Sequence, residues 1–533
     1  MSTEEQLMLE SGIRSRLHDN LADIDTLLGE SADIIRRSFR LADASGEGRP
    51  GQCIYTDGLV KAEYVNDILR ALIVYAAEIS FGLHEAEAAQ QLQERLLVNG
   101  GVSIVERLGS CIDAVLAGDT VILIEGIAKG IVISTRGWEG RSVDEPATES
   151  VVRGPRDGFV ESIRTNSAHI RRRIRDPMLR VDALQVGTRT KTDINVLYIK
   201  GLVKEGLVEE VTKRLSSIKV DGILESGYIE EFIEDAPLSP FTTIQSTERP
   251  DKAASALLEG RAVILVDNTP FCLVVPAYFW QSFQASDDYY SRYWVGSFLR
   301  LVRYLAFLIS LALPSVYVLL VSFHQEMIPT GLAFTIASGR EVVPFPVLLE
   351  ALFMEFAFEL MREAGLRMPK PVGQAVSIVG SLIIGQAAVQ AGLVSPFMVI
   401  IVAITGISSF AIPNYAASFS IRLIRFPLLL ASGTMGLLGF VGVFFTMVVH
   451  AISLRSFGEP YLAPASPFRP TDQQDLLLRF PWWSMIKRPW MAEGEPDRMA
   501  KGQRPQPDAN AEHRSQNHAG DNSGGGSGKG DGA

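Results

Sequence analysis

Hydrophobic and polar positions divide the chain into three zones. Residues 1–296 alternate short apolar runs with charged stretches, 297–454 are nearly continuous apolar segments, and 455–533 return to polar, Pro-rich and finally Gly/Ser-rich sequence. In the first zone Leu17, Leu21, Ile24, Leu27, Leu28 and Ile34 recur near a helical spacing, which predicts an N-terminal helical extension over 1–44. The chain then repeats itself. Residues 52–72 (QCIYTDGLVKAEYVNDILRAL) align without gaps on 195–215 (NVLYIKGLVKEGLVEEVTKRL), and 116–134 (LAGDTVILIEGIAKGIVIS) on 258–276 (LEGRAVILVDNTPFCLVVP). The first pair reads as strand, glycine turn and helix, the second as a two-stranded hairpin. Two elements repeated at nearly one spacing mean two homologous α/β units rather than a short-period solenoid. The boundaries expected are a first subdomain over 45–140, a helical bridge over 141–190 and a second subdomain over 191–296.

The second zone predicts an α-helical membrane domain of about five helices over 297–455, the lipid bilayer being its surroundings. Phe298–Phe323, 372–391, 394–412 and 426–454 are long and apolar enough to span, and Pro314 kinks the first. Between them Pro344 to Gly365, PFPVLLEALFMEFAFELMREAG, is apolar yet carries Glu350, Glu355, Glu359 and Glu363. At ~100° per residue Glu355, Glu359, Arg362 and Glu363 share one stripe, and Glu350 lies opposite. A carboxylate at membrane depth costs ~2.5–3.5 kcal/mol, so such a stripe faces protein or water. It is an ion pathway, a polar packing seam, or the wet face of a helix lying in the interface. Ser377, Ser381 and Gly385 form a small-residue line, and Gly433, Gly436, Gly439 and Gly442 recur at every third position; both suit close helix packing. By Lys and Arg count, Arg292, Arg300 and Arg303 place the soluble region in the cytoplasm. If the acidic helix spans, Arg362, Arg367, Lys370, Arg422 and Arg425 fall on that side too, giving five spans and an external tail; four spans return the tail inside. The tail, 456–533, is expected to be mostly disordered, with PWWSMIKRPW at a membrane surface.

Composition adds exclusions. A net charge of −11 lacks the concentrated basic face that nucleic acid needs, and the run Arg171, Arg172, Arg173, Arg175 suits a solvated helix face or an inter-subunit contact. Cys53, Cys111 and Cys272 are far apart, without CxxC or histidine at ligand spacing, so buried free thiols are expected and no metal. DGLVK and KGLVK are too short for a phosphate loop, and there is no GxGxxG after a strand, no GxSxG and no HExxH; no cofactor and no catalytic set is expected. Asp287 and Asp288 with Tyr289, Tyr290, Tyr293 and Trp294 read as an interfacial aromatic belt. The first fifty residues have no basic-then-apolar leader, so insertion is expected to rely on the internal segments.

Several long segments carry a resemblance: ESVVRGPRDGFVESIRTN with IRRRIRDP, ERPDKAASALLEGRAVILVDNTPFCLVVPA, the acidic helix continuing into VGQAVSIVGSLIIGQAAVQAGLVSP, and the IP-x-Y motif at Ile412–Tyr415. Over about residues 20–465 the chain resembles the A subunit of GerA-family spore germinant receptors, and shares these motifs with the stage V sporulation AF type. That resemblance implies a non-enzymatic protein of the endospore inner membrane. It further implies a homo-oligomeric ring that conducts ions, with a transporter-like B subunit and a lipoprotein C subunit as partners. A secondary transporter and a structural scaffold without a pore are the rival classes. No inverted repeat in the membrane region supports the transporter.

Overall fold

The computed structural model describes residues 3–41, 48–75, 101–137, 145–146, 148–368, 385–494 and 497–505. Two short helices, α1 (Thr3–Glu10) and α2 (Leu17–Leu28), lead into a sheet made of β1 (Ile34–Leu41), β2 (Arg49–Thr56), β3 (Val102–Val105), β4 (Thr120–Ile124) and β5 (Gly130–Ile133). Helix α3 (Ala62–Arg70) follows β2, and α4 (Leu108–Ala117) follows β3. After α5 (Ile163–Arg173), a second sheet holds β6 (Leu179–Val186), β7 (Thr192–Ile199), β8 (Gln245–Thr247), β9 (Ala262–Val266) and β10 (Cys272–Val275). Helices α6 (Leu207–Ser217), α7 (Ser226–Ile233) and α8 (Pro250–Leu258) belong to it.

The strand orders, β1-β2-β4-β5-β3 and β6-β7-β9-β10-β8, are identical. The duplication read in the sequence is therefore a duplication of fold. The apolar runs TVILI and AVILV are central strands covered on both faces. Ile122 and Ile124 join the core with Leu41 and Tyr55, while Val121 and Leu123 join the opposite core with α2 and α4. Alternation of side chains across a strand distributes one run between two cores.

Two boundaries move. The strand β1 lies inside the stretch expected to be a helical extension, and β6 inside the expected bridge. Both are edge strands of their sheets. β1, IIRRSFRL, is exposed at Arg37, Ser38 and Arg40, so it lacks the apolar run that marks a central strand. Three arginines of the basic run form the last turn of α5 and pair within the chain, while Arg175 is exposed. Arg171 is 1% exposed and donates to Asp33 at 2.8 Å and 3.0 Å, joining the subdomains, while Arg172 and Arg173 pair with Asp157.

The helical region comprises α9 (Tyr293–Phe323), α10 (Thr330–Arg340), α11 (Val347–Arg367), α12 (Pro396–Phe410) and α13 (Tyr415–Ser453). Among the described residues α9 and α13 are long and apolar enough to cross a membrane. α13 is not one straight rod. Unbroken, 39 residues would run about 58 Å. Yet Ile421, Ile424 and Leu428 from its first arm and Met447 and Ala451 from its second pack into one cluster with Phe307 and Leu311 of α9. The chain reverses at Gly436, whose φ is 62°. A Cβ on Gly439 would fall 2.1 Å from the carbonyl oxygen of Ala431 across that turn.

The reversal brings the chain back toward its N-terminal part. After Leu454 the chain returns to the second subdomain through β11 (Arg455–Ser456) and β12 (Glu459–Pro460). The Ser456 hydroxyl donates to the carbonyl of Thr243 at 2.6 Å and accepts from the N–H of Ala277 at 2.9 Å. Residues expected to be disordered stay ordered because buried anchors recur along them: Tyr461, Leu476, Met485 and Met491. Trp482 meets Tyr289 on the body of the protein, with ring centroids 6.0 Å apart and the rings tilted by 49°. Of the residues expected in the aromatic belt, Asp288 and Tyr289 form a junction with α9, while Trp294 is exposed. Asp288, fully buried, accepts from Arg303 at 2.6 Å and 2.8 Å and from Arg300 at 3.3 Å. Arg300 also reaches Asp475 at 2.8 Å. These arginines are therefore partners in a buried network, as well as charges at a span's end.

Candidate functional site

α11 starts after Pro346, whose fixed backbone suits a helix entry, and continues past Gly365 to Arg367. It runs antiparallel to the first arm of α13: Leu348 would meet a Cβ on Gly433, Glu355 meets Arg425 and Glu359 meets Arg422. It runs parallel to α12, Phe358 lying over Gly406, where a Cβ would fall 2.4 Å from the ring. Three helices thus enclose the acidic stripe.

Its four expected members fare differently. Glu355, with no exposed surface, accepts from Arg425 Nη1 at 2.5 Å, and Arg425 Nη2 donates to Ser310 of α9 at 3.1 Å. One turn on, Glu359 accepts from Arg422 at 2.7 Å. Arg362 donates to Ser409 at 3.2 Å and lies over the Phe410 ring. Glu363 is 57% exposed and, among the described residues, pairs along its own helix with Arg367. It stands outside the seam. Glu350, expected on the opposite side, is buried in a site of its own. It accepts from the backbone N–H and hydroxyl of Ser395, the N-cap of α12, both at 2.6 Å, and from Arg340 at 2.6 Å. A carboxylate there is favoured by the free N–H groups and positive end of the helix.

The seam is thus a two-rung ladder of ion pairs between α11 and α13, in apolar surroundings. Removing one partner of a buried pair costs about 3–5 kcal/mol, because the other charge stays buried. Oε1 of Glu355, Oε1 of Glu359 and Nε of Arg425 have no hydrogen-bond partner among the described residues. Each rung therefore keeps an unused polar atom able to take a cation, water or a new partner. The sequence pattern missed Arg422 and Arg425 as site residues, assigning them to a loop before a span starting at 426. Their spacing of three inside IRLIRFPLLL was the available signal, since it puts both on one face once the helix starts at Tyr415.

The expected packing residues divide as well. Gly433 admits Leu348, Gly436 is the turn itself, and Gly439 lies against the opposite arm. Gly385 stands at ordinary contact distance from Val399, and Ser377 and Ser381 lie outside the described residues. In the soluble part the three cysteines are buried, and burial pushes the Cys53 and Cys111 thiols up to about 12.

A family model described as Bacillus/Clostridium GerA spore germination protein matches residues 22–491. The chain is 46% identical over 498 residues to "Spore germination protein KA" of Bacillus subtilis (strain 168), covering 93% of this chain and 90% of that one. It is 42% identical over 499 residues to "Uncharacterized membrane protein YfkQ" of the same strain, covering 93% and 96%. To that strain's "Stage V sporulation protein AF" it is 32% identical over 453 residues, covering 85% and 90%.

Proposed function

The chain belongs to the Bacillus/Clostridium GerA spore germination protein family, and on that premise we propose that it is the A-type membrane subunit of a germinant receptor. In this reading it sits in the inner membrane of the endospore, with its soluble region and ordered tail facing the cytoplasm. It assembles as a ring with a transporter-like B subunit and a lipoprotein C subunit. Nutrient sensed by the assembly moves the helices, and cations leave the spore. The greater identity to the germination protein than to the stage V protein supports a receptor subunit over the sporulation paralogue.

The observation that carries the mechanism is the ladder of Glu355–Arg425 and Glu359–Arg422. Paired, the carboxylates are neutralised and offer a cation little. A shift of α11 against α13 exchanges the arginines for water, and two carboxylates one turn apart then raise the local cation concentration. The test is cation flux through liposomes carrying the purified protein, alone and with its partner subunits. Glu355→Gln/Glu359→Gln combined with Arg422→Met/Arg425→Met, which leaves no seam charge buried without its partner, is expected to lower flux while ring assembly, followed by light scattering, persists. Undiminished flux removes these carboxylates from the pathway.

A second reading has its own support: each seam glutamate is matched by an arginine of the same chain, as a purely structural seam requires. The charge swap Glu355→Arg/Arg425→Glu separates the two. A scaffold keeps germination after the swap, whereas a cation pathway that has gained a positive charge in place of a carboxylate loses it.

A further inference from the structure

Among the described residues, the duplicated turn receives acids from the tail after β7 but not after β2. In the second subdomain the turn Lys200–Lys204 receives two carboxylates from the tail: Lys204 pairs with Glu459, and the N–H of Glu205 donates to Glu493 at 2.9 Å. The N–H of Glu493 also donates to the carbonyl of Leu202 at 2.9 Å. The chain's own acids thus occupy the space in front of this lysine and the N–H that follows it.

The first subdomain repeats the same backbone. Gly58 and Gly201 are equivalent, with φ of 77° and 83°, conformations that favour glycine, and Lys61 corresponds to Lys204. Ala62, equivalent to Glu205, is the first residue of α3, so its N–H has no partner within the helix. No described residue of the tail lines this turn. It opens on a cleft of about 490 Å³ whose far wall is the first two turns of α5, with Ser162, Arg164, Thr165, Ala168 and His169. His169 is 6% exposed, and neither ring nitrogen has a hydrogen bond among the described residues; Nδ1 stands 3.6 Å from Asp157. Arg164 pairs with Asp57 at 2.6 Å, the Lys61 ammonium lies 5.3 Å from the Tyr64 ring centroid, and Glu63 is the carboxylate among the residues lining the cleft.

We propose that the cleft between the Gly58–Lys61 turn and the start of α5 binds a small carboxylate, held by Lys61, the N–H of Ala62 and His169, as Glu459 and Glu493 are held in the second subdomain. A phosphate offers related chemistry, and the probes distinguish the two. The site lies at the boundary between subdomains, where α5 packs on the Gly58 turn, so its occupant braces one subdomain against the other. Nothing in this assignment depends on the seam conducting ions.

The experiment uses the full chain in detergent, with thermal shift and titration calorimetry against acetate, succinate and inorganic phosphate at constant ionic strength, and chloride as reference. Succinate or acetate is expected to raise the melting temperature and bind with millimolar affinity. Lys61→Met, a change at an exposed side chain, should weaken binding ~10-fold, the loss of one charge-assisted hydrogen bond. His169→Gln should also weaken it. Lys204→Met should leave binding unchanged, because its site is already filled. Absence of heat and shift with every carboxylate overturns the proposal, as does binding that Lys61→Met does not affect. A response to phosphate alone overturns the carboxylate assignment.

Discussion

At the scale of single residues, the buried charges are asymmetric in what their loss exposes. Glu355→Gln leaves Arg425 charged, buried and unpaired, and is expected to lower stability by about 3–5 kcal/mol. Glu355→Gln/Arg425→Met, which removes both charges, should recover most of it. Thermal melts in detergent decide the matter: equal losses in the two variants would mean that the pair does not hold the helices. Glu230 makes a second prediction outside the membrane. Burial, with like charge from Glu234, Glu225 and Glu231, pushes its carboxyl up to about 7 from an ordinary 4.5. The folded protein keeps this proton where the unfolded chain has lost it. The associated stability is therefore full below pH 4.5 and is lost as pH rises to about 7. Glu230→Gln should flatten the fall in melting temperature across that range, and an unchanged slope would contradict it. Residue chemistry of this kind was only half legible in the sequence. The four glutamates stood out as acids in an apolar helix, but Arg422 and Arg425 lie 63 and 70 positions from Glu359 and Glu355, and no local pattern couples them.

At the scale of elements, the turn at Gly436 decides where the chain goes. Alanine there meets the left-handed φ of 62° and stands 3.0 Å from Phe323, so Gly436→Ala should cost at least ~1–2 kcal/mol. Gly442, with nothing within 4 Å of a Cβ, should accept alanine without loss. Comparing the two variants by melting temperature separates a required turn from general glycine-rich packing. The strands show the same contrast between pattern and context. β4 and β9 announced themselves as unbroken apolar runs because both of their faces are covered. β1 and β6, at the sheet edges, are interrupted by polar positions, Arg37, Ser38 and Arg40 in the first and Arg180, Asp182 and Gln185 in the second, and fall inside the stretches expected to be helical. An edge strand owes its conformation to the neighbour it pairs with, and that neighbour is read only from the fold.

For the whole molecule, the tail's contacts with the second subdomain through Ser456 predict that both lie on one side of the membrane. Cysteines placed at Arg189 and Lys501, both exposed, should react with an impermeant maleimide from the same face of sealed vesicles. The native cysteines are buried and their thiols raised, so they stay silent. Labelling from opposite faces would refute the hairpin. What the sequence by itself determined is what neighbouring positions encode: two homologous α/β units, their central strands and glycine turns, an apolar helical region and an acidic helix within it. Periodicity and turn chemistry act over a few residues and repeat legibly. The fold is what shows which arginines neutralise the seam, that the last helix doubles back, and that, among the described residues, the tail's acids meet one duplicated turn and not the other. Those outcomes depend on side chains tens to hundreds of positions apart meeting in space, where burial makes a charge seek its partner and packing selects the one that fits.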